Sequence, residues 1–253
     1  MIRLQKICKA FGPQMVFRDL DLTIRKGQFT VILGPSGTGK SVLLKHIVGL
    51  LKPDTGRVYL EDLDITYVKG EERQALMRRF GFVFQGSALF DSMNVFDNLA
   101  FGLRENNLCP AEEIPPRVAR ELERVELSGI EHKMPAELSG GMQKRVGLAR
   151  ATIMEPEIIL YDEPTTGLDP LTTVHINRLI MAAKAALGTT VVSVTHDVRS
   201  ALEMADHIAF LDEGRVLAEG TPQQLCANPE PQLQEFLNAR GDAARVCTEK
   251  RDG

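Results

Sequence analysis

Five short stretches of the chain carry residue types and spacings that could do phosphate chemistry. The first, Gly34-Pro35-Ser36-Gly37-Thr38-Gly39-Lys40-Ser41, matches the phosphate-loop spacing G-x-x-x-x-G-K-[ST]. Its small residues let the backbone curl and aim N–H groups at an anion. Lys40 has the reach and charge for β- and γ-phosphates, and Ser41 has the hydroxyl for Mg²⁺. The second, Ile158-Ile159-Leu160-Tyr161-Asp162-Glu163, is an apolar strand run ending in two acids. Asp162 can hold a divalent ion, and Glu163 can orient or deprotonate a water. Neighbouring strand residues point opposite ways, so the chain must turn there if both acids serve one site.

The third, Leu138-Ser139-Gly140-Gly141-Met142, is a glycine turn opening a helix expected over 142–154. A small hydroxyl, bare backbone N–H groups and a helix N-terminus make a second anion site. Alone, the same residues would serve as a plain helix cap. The fourth is Gln85, closing the apolar strand run 80–85, where an amide can reach a metal or a water. By itself a glutamine there is unremarkable, and capping or plain surface exposure is the better reading. The fifth is His196-Asp197, at the end of the strand run 189–195, where His196 could hydrogen-bond a γ-phosphate. Phe11, beside Gly12, either stacks on a purine ring or packs into a small β core.

Elements around these residues follow from periodicity. Phe29-Thr30-Val31-Ile32-Leu33 is β-branched and apolar, as a buried strand should be. After the loop, Leu43, Leu44, Ile47, Val48 and Leu51 keep helical spacing, so a helix dipole points at the phosphate site. Short alternating strands are expected at 3–7 and 20–24, and a strand at 57–60 after the turn Pro53–Gly56. Glu71 to Arg79 reads as a surface helix. Helices follow at 117–127, with Val118, Leu122 and Val125 on one face, and at 171–187, with Val174, Leu179, Ile180, Ala183 and Leu187 inward and Gly188 as the stop. Strands 207–211 and 215–217 flank a turn at Gly214. A short amphipathic segment lies around Leu225 and Leu233–Leu237, and 241–253 reads as a mobile tail. The stretch Gly86 to Leu103 is dense in apolar groups, with Leu89, Phe90, Met93, Val95 and Phe96 in a loop and helix start. It is a groove for another protein, the core of a small helical lobe, or part of each.

The 253 residues suit one domain or two packed lobes, with 43% hydrophobic and 25% charged residues. A formal net charge of −4 gives no reason to expect nucleic-acid binding. Cys8, Cys109, Cys226 and Cys247 lie far apart, without zinc or redox spacing, and are expected to be free thiols of a reducing compartment. His46, His132, His175 and His207 form no metal spacing and read as structural. No apolar run approaches membrane-spanning length, and the N-terminus has no signal-peptide pattern, so a role at a membrane would come through a partner.

Taken in order, Phe11, Gly34–Ser41, Gln85, Leu138–Met142, Ile158–Glu163, Leu168-Asp169 and His196 resemble the motif set of an ATP-binding-cassette (ABC) ATPase. Met142 stands where the signature usually has glutamine, and Phe11 where tyrosine is commoner; neither change removes a phosphate-contacting group. The resemblance implies an α/β fold of the P-loop NTPase type. A RecA-like core with an antiparallel β subdomain would span 1–85 and 150–221. An inserted helical subdomain would span 86–149, and a C-terminal extension 222–253. It implies Mg²⁺ and ATP, with ATP held by Phe11, Gly34, Pro35, Ser36, Gly37, Thr38, Gly39, Lys40, Ser41 and Val42. The metal would be held by Ser41, Gln85 and Asp162, and catalysis carried by Glu163, His196, Gln85 and Lys40. Ser139, Gly140, Gly141 and Met142 would cap ATP bound by a second copy in a head-to-tail dimer, with Asp169 as the D-loop acid.

A narrower resemblance rests on Phe84–Phe90, Met93–Ala100, Glu137–Met142, Ala227–Pro231 and Glu235–Leu237. These are similar to the ATPase of the Mla (maintenance of lipid asymmetry) and other MCE-linked phospholipid transporters. That likeness implies a peripheral subunit on the cytoplasmic face of the bacterial inner membrane. A permease dimer would dock near Gly86–Leu103, with an MCE-domain lipid-binding protein and a STAS-domain protein in the complex. The alternatives are the ATPase of another ABC importer and a soluble assembly factor of cassette type.

Overall fold

The computed structural model describes residues 1–239. The expected tail 241–253 and Cys247 lie outside the described residues. In chain order the elements are β1 (Ile2–Phe11), β2 (Gln14–Ile24), β3 (Phe29–Leu33), α1 (Lys40–Ile47), β4 (Thr55–Leu60), β5 (Leu63–Asp64), α2 (Gly70–Arg78), β6 (Phe80–Val83), α3 (Val95–Glu105), α4 (Ile114–Arg124), α5 (Gly140–Thr152), β7 (Ile158–Asp162), α6 (Pro170–Leu187), β8 (Thr190–Thr195), α7 (Val198–Met204), β9 (His207–Asp212), β10 (Arg215–Gly220), α8 (Pro222–Ala227) and α9 (Pro231–Asn238). Two compact units divide the chain, residues 1–77 with 190 onward, and residues 78–189.

In the first unit, β1 pairs antiparallel with β2 on one side and β4 on the other, in the sheet order β2-β1-β4-β5. The register sets Ile2 against Ile24 and Leu60, and Leu4 against Leu22 and Val58. All six side chains are buried, so alternation puts one apolar face inward. The strands are longer than the two five-residue segments expected. Phe11 closes β1 instead of lying in a loop, because the hairpin turn is confined to Gly12-Pro13. The second sheet of this unit runs β10-β9-β3-β8. Strand β3 lies parallel to both β8 and β9, and every residue of β3 and β8 is buried. That is the near-continuous apolar pattern of a strand covered on both faces.

In the second unit β6 and β7 pair in parallel, Phe80 with Ile158 through Val83 with Tyr161. Leu99 and Leu103 of α3, Val118 and Leu122 of α4, Val146 and Ala149 of α5, and Leu179 and Ile180 of α6 are buried. Helix α4 starts three residues earlier than the break at 109–116 suggested. Pro115 and Pro116 occupy its first turn, where a fixed φ fits and a missing N–H costs nothing. Helix α6 ends at Gly188 as expected, but Val174 is 58% exposed, against its expected inward position, and Ile176 is buried instead. Among the described residues no helix is long and apolar enough to cross a membrane. Cys8 and Cys109 are free, but Cys226 on α8 is disulfide-bonded, which overturns the expectation of four free thiols. Linear spacing carries no information on which thiols approach in space.

Candidate functional site

In the first unit the phosphate loop is the segment between β3 and α1. Gly39 caps α1 with a left-handed φ of 95° and without a side-chain cap, so the first N–H groups of the helix face the loop. Lys40 is buried, and its Nζ donates to the Gly34 carbonyl at 2.9 Å and the Pro35 carbonyl at 2.8 Å. Thr38 Oγ1 donates to the Pro35 carbonyl at 2.9 Å. The loop thus carries its own cation across its mouth. Leu33 pairs with Thr195 of β8, so Gly34 and His196 each lie one residue past the same rung. Sheet pairing therefore brings His196 to the phosphate-loop end of the strands.

The hairpin β1–β2 supplies the other wall. Arg18 N donates to the Gly214 carbonyl at 3.0 Å, tying β2 to the β9–β10 turn. A cleft of about 870 Å³ is lined by Val16, Arg18, Ser36, Gly37, Thr38 and Arg215 among others. Phe11 is 47% exposed, which argues against its packing into a β core. Its strand end is pinned by Asp54, which accepts from Lys9 Nζ at 2.7 Å and from Ala10 N at 2.8 Å. The Lys9 hydrogen bond holds the Asp54 carboxyl below its usual range.

In the second unit the chain does turn at the paired acids. Asp162 ends β7, and Glu163 follows with φ 49°, a left-handed backbone rare for a residue with a side chain. Both carboxylates are buried, and Glu163 Oε2 accepts from Thr166 Oγ1 at 2.9 Å. Val83 pairs with Tyr161, so Gln85 and Glu163 each lie two residues past one rung. Lys144 of α5 meets both, with Nζ 2.5 Å from the Gln85 carbonyl and 3.5 Å from the Glu163 carbonyl. Burial pushes the Lys144 ammonium down from its ordinary pKa, with Glu163 and Asp162 pulling it back up.

Ser139 caps α5, its Oγ accepting from Met142 N at 3.3 Å, which is the plain helix cap that the same residues could also form. Asp169 caps α6, with Oδ1 accepting from Leu171 N and Thr172 N, each at 3.0 Å. Its carboxyl lies below its usual range, chiefly through the Thr172 hydroxyl. A cleft of about 530 Å³ joins these two caps, lined by Ser139, Gly141, Met142, Arg145, Asp169 and His175 among others. Sequence reasoning missed Lys144, Arg145, Thr166 and the hairpin residues Val16 and Arg18. None carries a local signal, because each acts from the middle of a helix, turn or strand.

Comparison with known proteins decides the family. A family model described as "ABC transporter" matches residues 17–166, more than half of the chain. The chain belongs to the ABC transporter family. This cassette is an ATPase, and its fold is that of solved cassettes. It is similar, at 34% identity and a TM-score of 0.81, to a dimeric bacterial ABC transporter cassette, MJ0796, covering 88% of this chain and 99% of that one. MJ0796 in a dimeric post-hydrolysis state bound to ADP and Pi gives 33% identity and a TM-score of 0.80, with the same coverage. Among curated relatives, the intermembrane phospholipid transport system ATP-binding protein MlaF of Escherichia coli K12 is 39% identical over 242 residues, 96% of this chain and 90% of MlaF. The probable ribonucleotide transport ATP-binding protein mkl of Mycobacterium tuberculosis H37Rv is 41% identical over 251 residues, 99% of this chain and 70% of mkl. Cassettes of this fold dimerise, as both MJ0796 structures do.

Proposed function

We propose that this cassette is the ATP-hydrolysing subunit of a bacterial inner-membrane transporter that moves phospholipids between the inner and outer membranes. The observation that carries the reading is the likeness to MlaF, which runs over nearly the full length of both chains. The similarity to mkl favours a second reading, a transporter with a ribonucleotide cargo. On either reading the cassette sits on the cytoplasmic face of the membrane, held there by a permease. Phe90 and Phe101, 42% and 37% exposed with ring centroids 5.1 Å apart, form the apolar part of the permease-docking stretch Gly86–Leu103. An MCE-domain protein and a STAS-domain protein complete the complex on the phospholipid reading.

The residues divide the work. Phe11 stacks on the adenine, and the backbone of 34–42 cradles the phosphates. Lys40 exchanges its two carbonyl partners for phosphate oxygens. Ser41, Gln85 and Asp162 offer a hydroxyl, an amide oxygen and a buried carboxylate, the hard oxygen set that suits Mg²⁺. Held there, the ion would supply positive charge to offset the phosphate charge during transfer. Glu163, fixed by Thr166, orients the attacking water and accepts its proton. His196 steadies the γ-phosphate oxygens. A second copy, head to tail, covers the nucleotide with its Ser139, Gly140, Gly141 and Met142, and its Asp169 lies beside them. Hydrolysis removes the shared anion, and the pair opens.

Glu163→Gln tests the reading. It should keep ATP affinity, lose hydrolysis by about a hundredfold or more, and trap the ATP-bound dimer. Wild-type turnover would remove Glu163 as the base. Purified with ATP from detergent-solubilised membranes, the variant should bring down a permease, an MCE-domain protein and phospholipid, and Phe90→Asp in the same background should lose the permease. A permease without lipid or MCE protein would leave the ATPase and discard the phospholipid cargo.

A further inference from the structure

Lysine is almost never fully buried unless something pairs with it. Lys144 is only 9% exposed, near the start of a helix whose solvent side was open to it. Its ammonium turns inward to two backbone carbonyls, those of Gln85 and Glu163. These two residues stand at equal distance past the β6–β7 rung, where each strand has just ended and the backbone is no longer held by sheet pairing. The left-handed φ at Glu163 needs a constraint from outside the strand to persist.

Helix α5 holds more of the same segment. Arg150, six residues further on, donates to the Ser87 carbonyl at 2.9 Å and the Ala88 carbonyl at 2.7 Å, and its guanidinium lies 5.7 Å from the Phe90 ring centroid. Ser87 and Ala88 both have left-handed φ, 61° and 48°. The segment 85–90 therefore hangs on α5 at three carbonyls, and the same helix opens with Ser139.

We propose that Lys144 is a positioning residue for ATP hydrolysis. Its ammonium locks the backbone of Gln85 to that of Glu163, so the two side chains keep one geometry and follow α5 when that helix shifts. The inference rests on the roles given above to Gln85 and Glu163. Lys144 touches neither the nucleotide nor the water; it acts through the two carbonyls.

The test is steady-state ATPase of the full chain, with Lys144→Gln, Lys144→Met and Lys144→Arg beside Glu163→Gln. Lys144→Gln places a neutral amide one bond short of the ammonium, too short and too rigid to hold both carbonyls, so kcat should fall about tenfold while KM for ATP stays within about twofold. Lys144→Met should fall further, and Lys144→Arg should recover most of the rate. A purely structural role would lower the melting temperature without splitting kcat from KM. Wild-type kcat in Lys144→Gln, or a change in KM alone, overturns the proposal. Should the variants not fold, hydrogen exchange on the wild-type protein decides: amides of 85–88 and 163–166 should open as one unit, and independent opening overturns it. Loss of turnover in Glu163→Gln with normal turnover in Lys144→Gln would sink this inference alone. Normal turnover in Glu163→Gln would sink the site reading beneath it.

Discussion

The two glycine-bearing turns of this cassette are built on opposite terms. At Gly39 the chain itself demands glycine. Its φ is 95°, and a Cβ there would lie 2.6 Å from Val16 Cγ1 and 3.0 Å from Phe17 Cε1. At Gly140 the chain demands nothing. The residue sits in ordinary helical backbone at the start of α5, and a Cβ would meet no atom within 4 Å. Gly141 is intermediate, with Thr172 Cγ2 at 3.2 Å. The first glycine serves the shape of its own loop. The second leaves bare backbone facing outward, which supports a partner or ligand that approaches closely at that point.

Paired substitutions break or sharpen this contrast, and the largest effect belongs to the first turn. Gly39→Ala meets both a left-handed penalty of about 1–2 kcal/mol and a clash with the Val16 and Phe17 side chains. It should lose ATP binding and melt well below wild type. Gly140→Ala should melt at or slightly above wild type, since alanine gains up to about 1 kcal/mol over glycine in a helix. Its ATP affinity should be unchanged, yet the ATP-loaded dimer of the Glu163→Gln background should be lost, as read by light scattering. A normal dimer from Gly140→Ala would break the comparison.

A smaller effect is expected at Asp169, in the same cleft as Ser139. The structure gives this residue a full capping role, whereas the family likeness gives it a role toward the partner copy. Asp169→Ala should cost about 1 kcal/mol as a lost cap. Asp169→Asn keeps the cap, and its melting temperature should match wild type. If Asp169→Asn then hydrolyses ATP normally, capping is the whole of its function. If hydrolysis falls without loss of stability, the carboxylate acts beyond its own helix.

What was legible in the sequence follows the same division. Gly34–Ser41 could be read because backbone geometry forces residue types at fixed spacing. The turn after Asp162 could be read because strand alternation forbids two adjacent acids on one face, and Glu163 φ bears this out. The parallel strands announced themselves as runs rich in β-branched and apolar residues at 29–33, 158–161 and 190–195. Lys144 was not legible, because its meaning lies in carbonyls 59 and 19 residues away in the chain. Val174 failed because a helical face was inferred from apolarity alone, and this helix leaves Leu171 and Val174 exposed near its start, at 84% and 58%.

The smallest expected effect is a pH dependence confined to the unit that holds the phosphate loop. His46 lies on α1, 1% exposed, with Nδ1 2.7 Å from the Val42 carbonyl and its ring edge-on to Phe17. Burial lowers its pKa from the usual 6.5; the Val42 carbonyl and Asp54 oppose this in part, and Lys9 adds to it. His207 is lowered as well, again chiefly by burial. The unfolded chain therefore takes up these protons before the folded one does. Stability is complete above about pH 6.5 and is lost as pH falls through the folded values. The lowered carboxyls of Asp54, Asp64 and Asp169 act in a separate window, below the usual 3.8. Between pH 7.5 and 5.5 the melting temperature should fall by about 2–5 °C, and His46→Gln should flatten that slope. Hydrogen exchange at pH 5.5 should show α1 opening more readily while α5 is unchanged. Equal acceleration in both helices would mean that the acid sensitivity does not arise from His46, and that the two units do not differ in this respect.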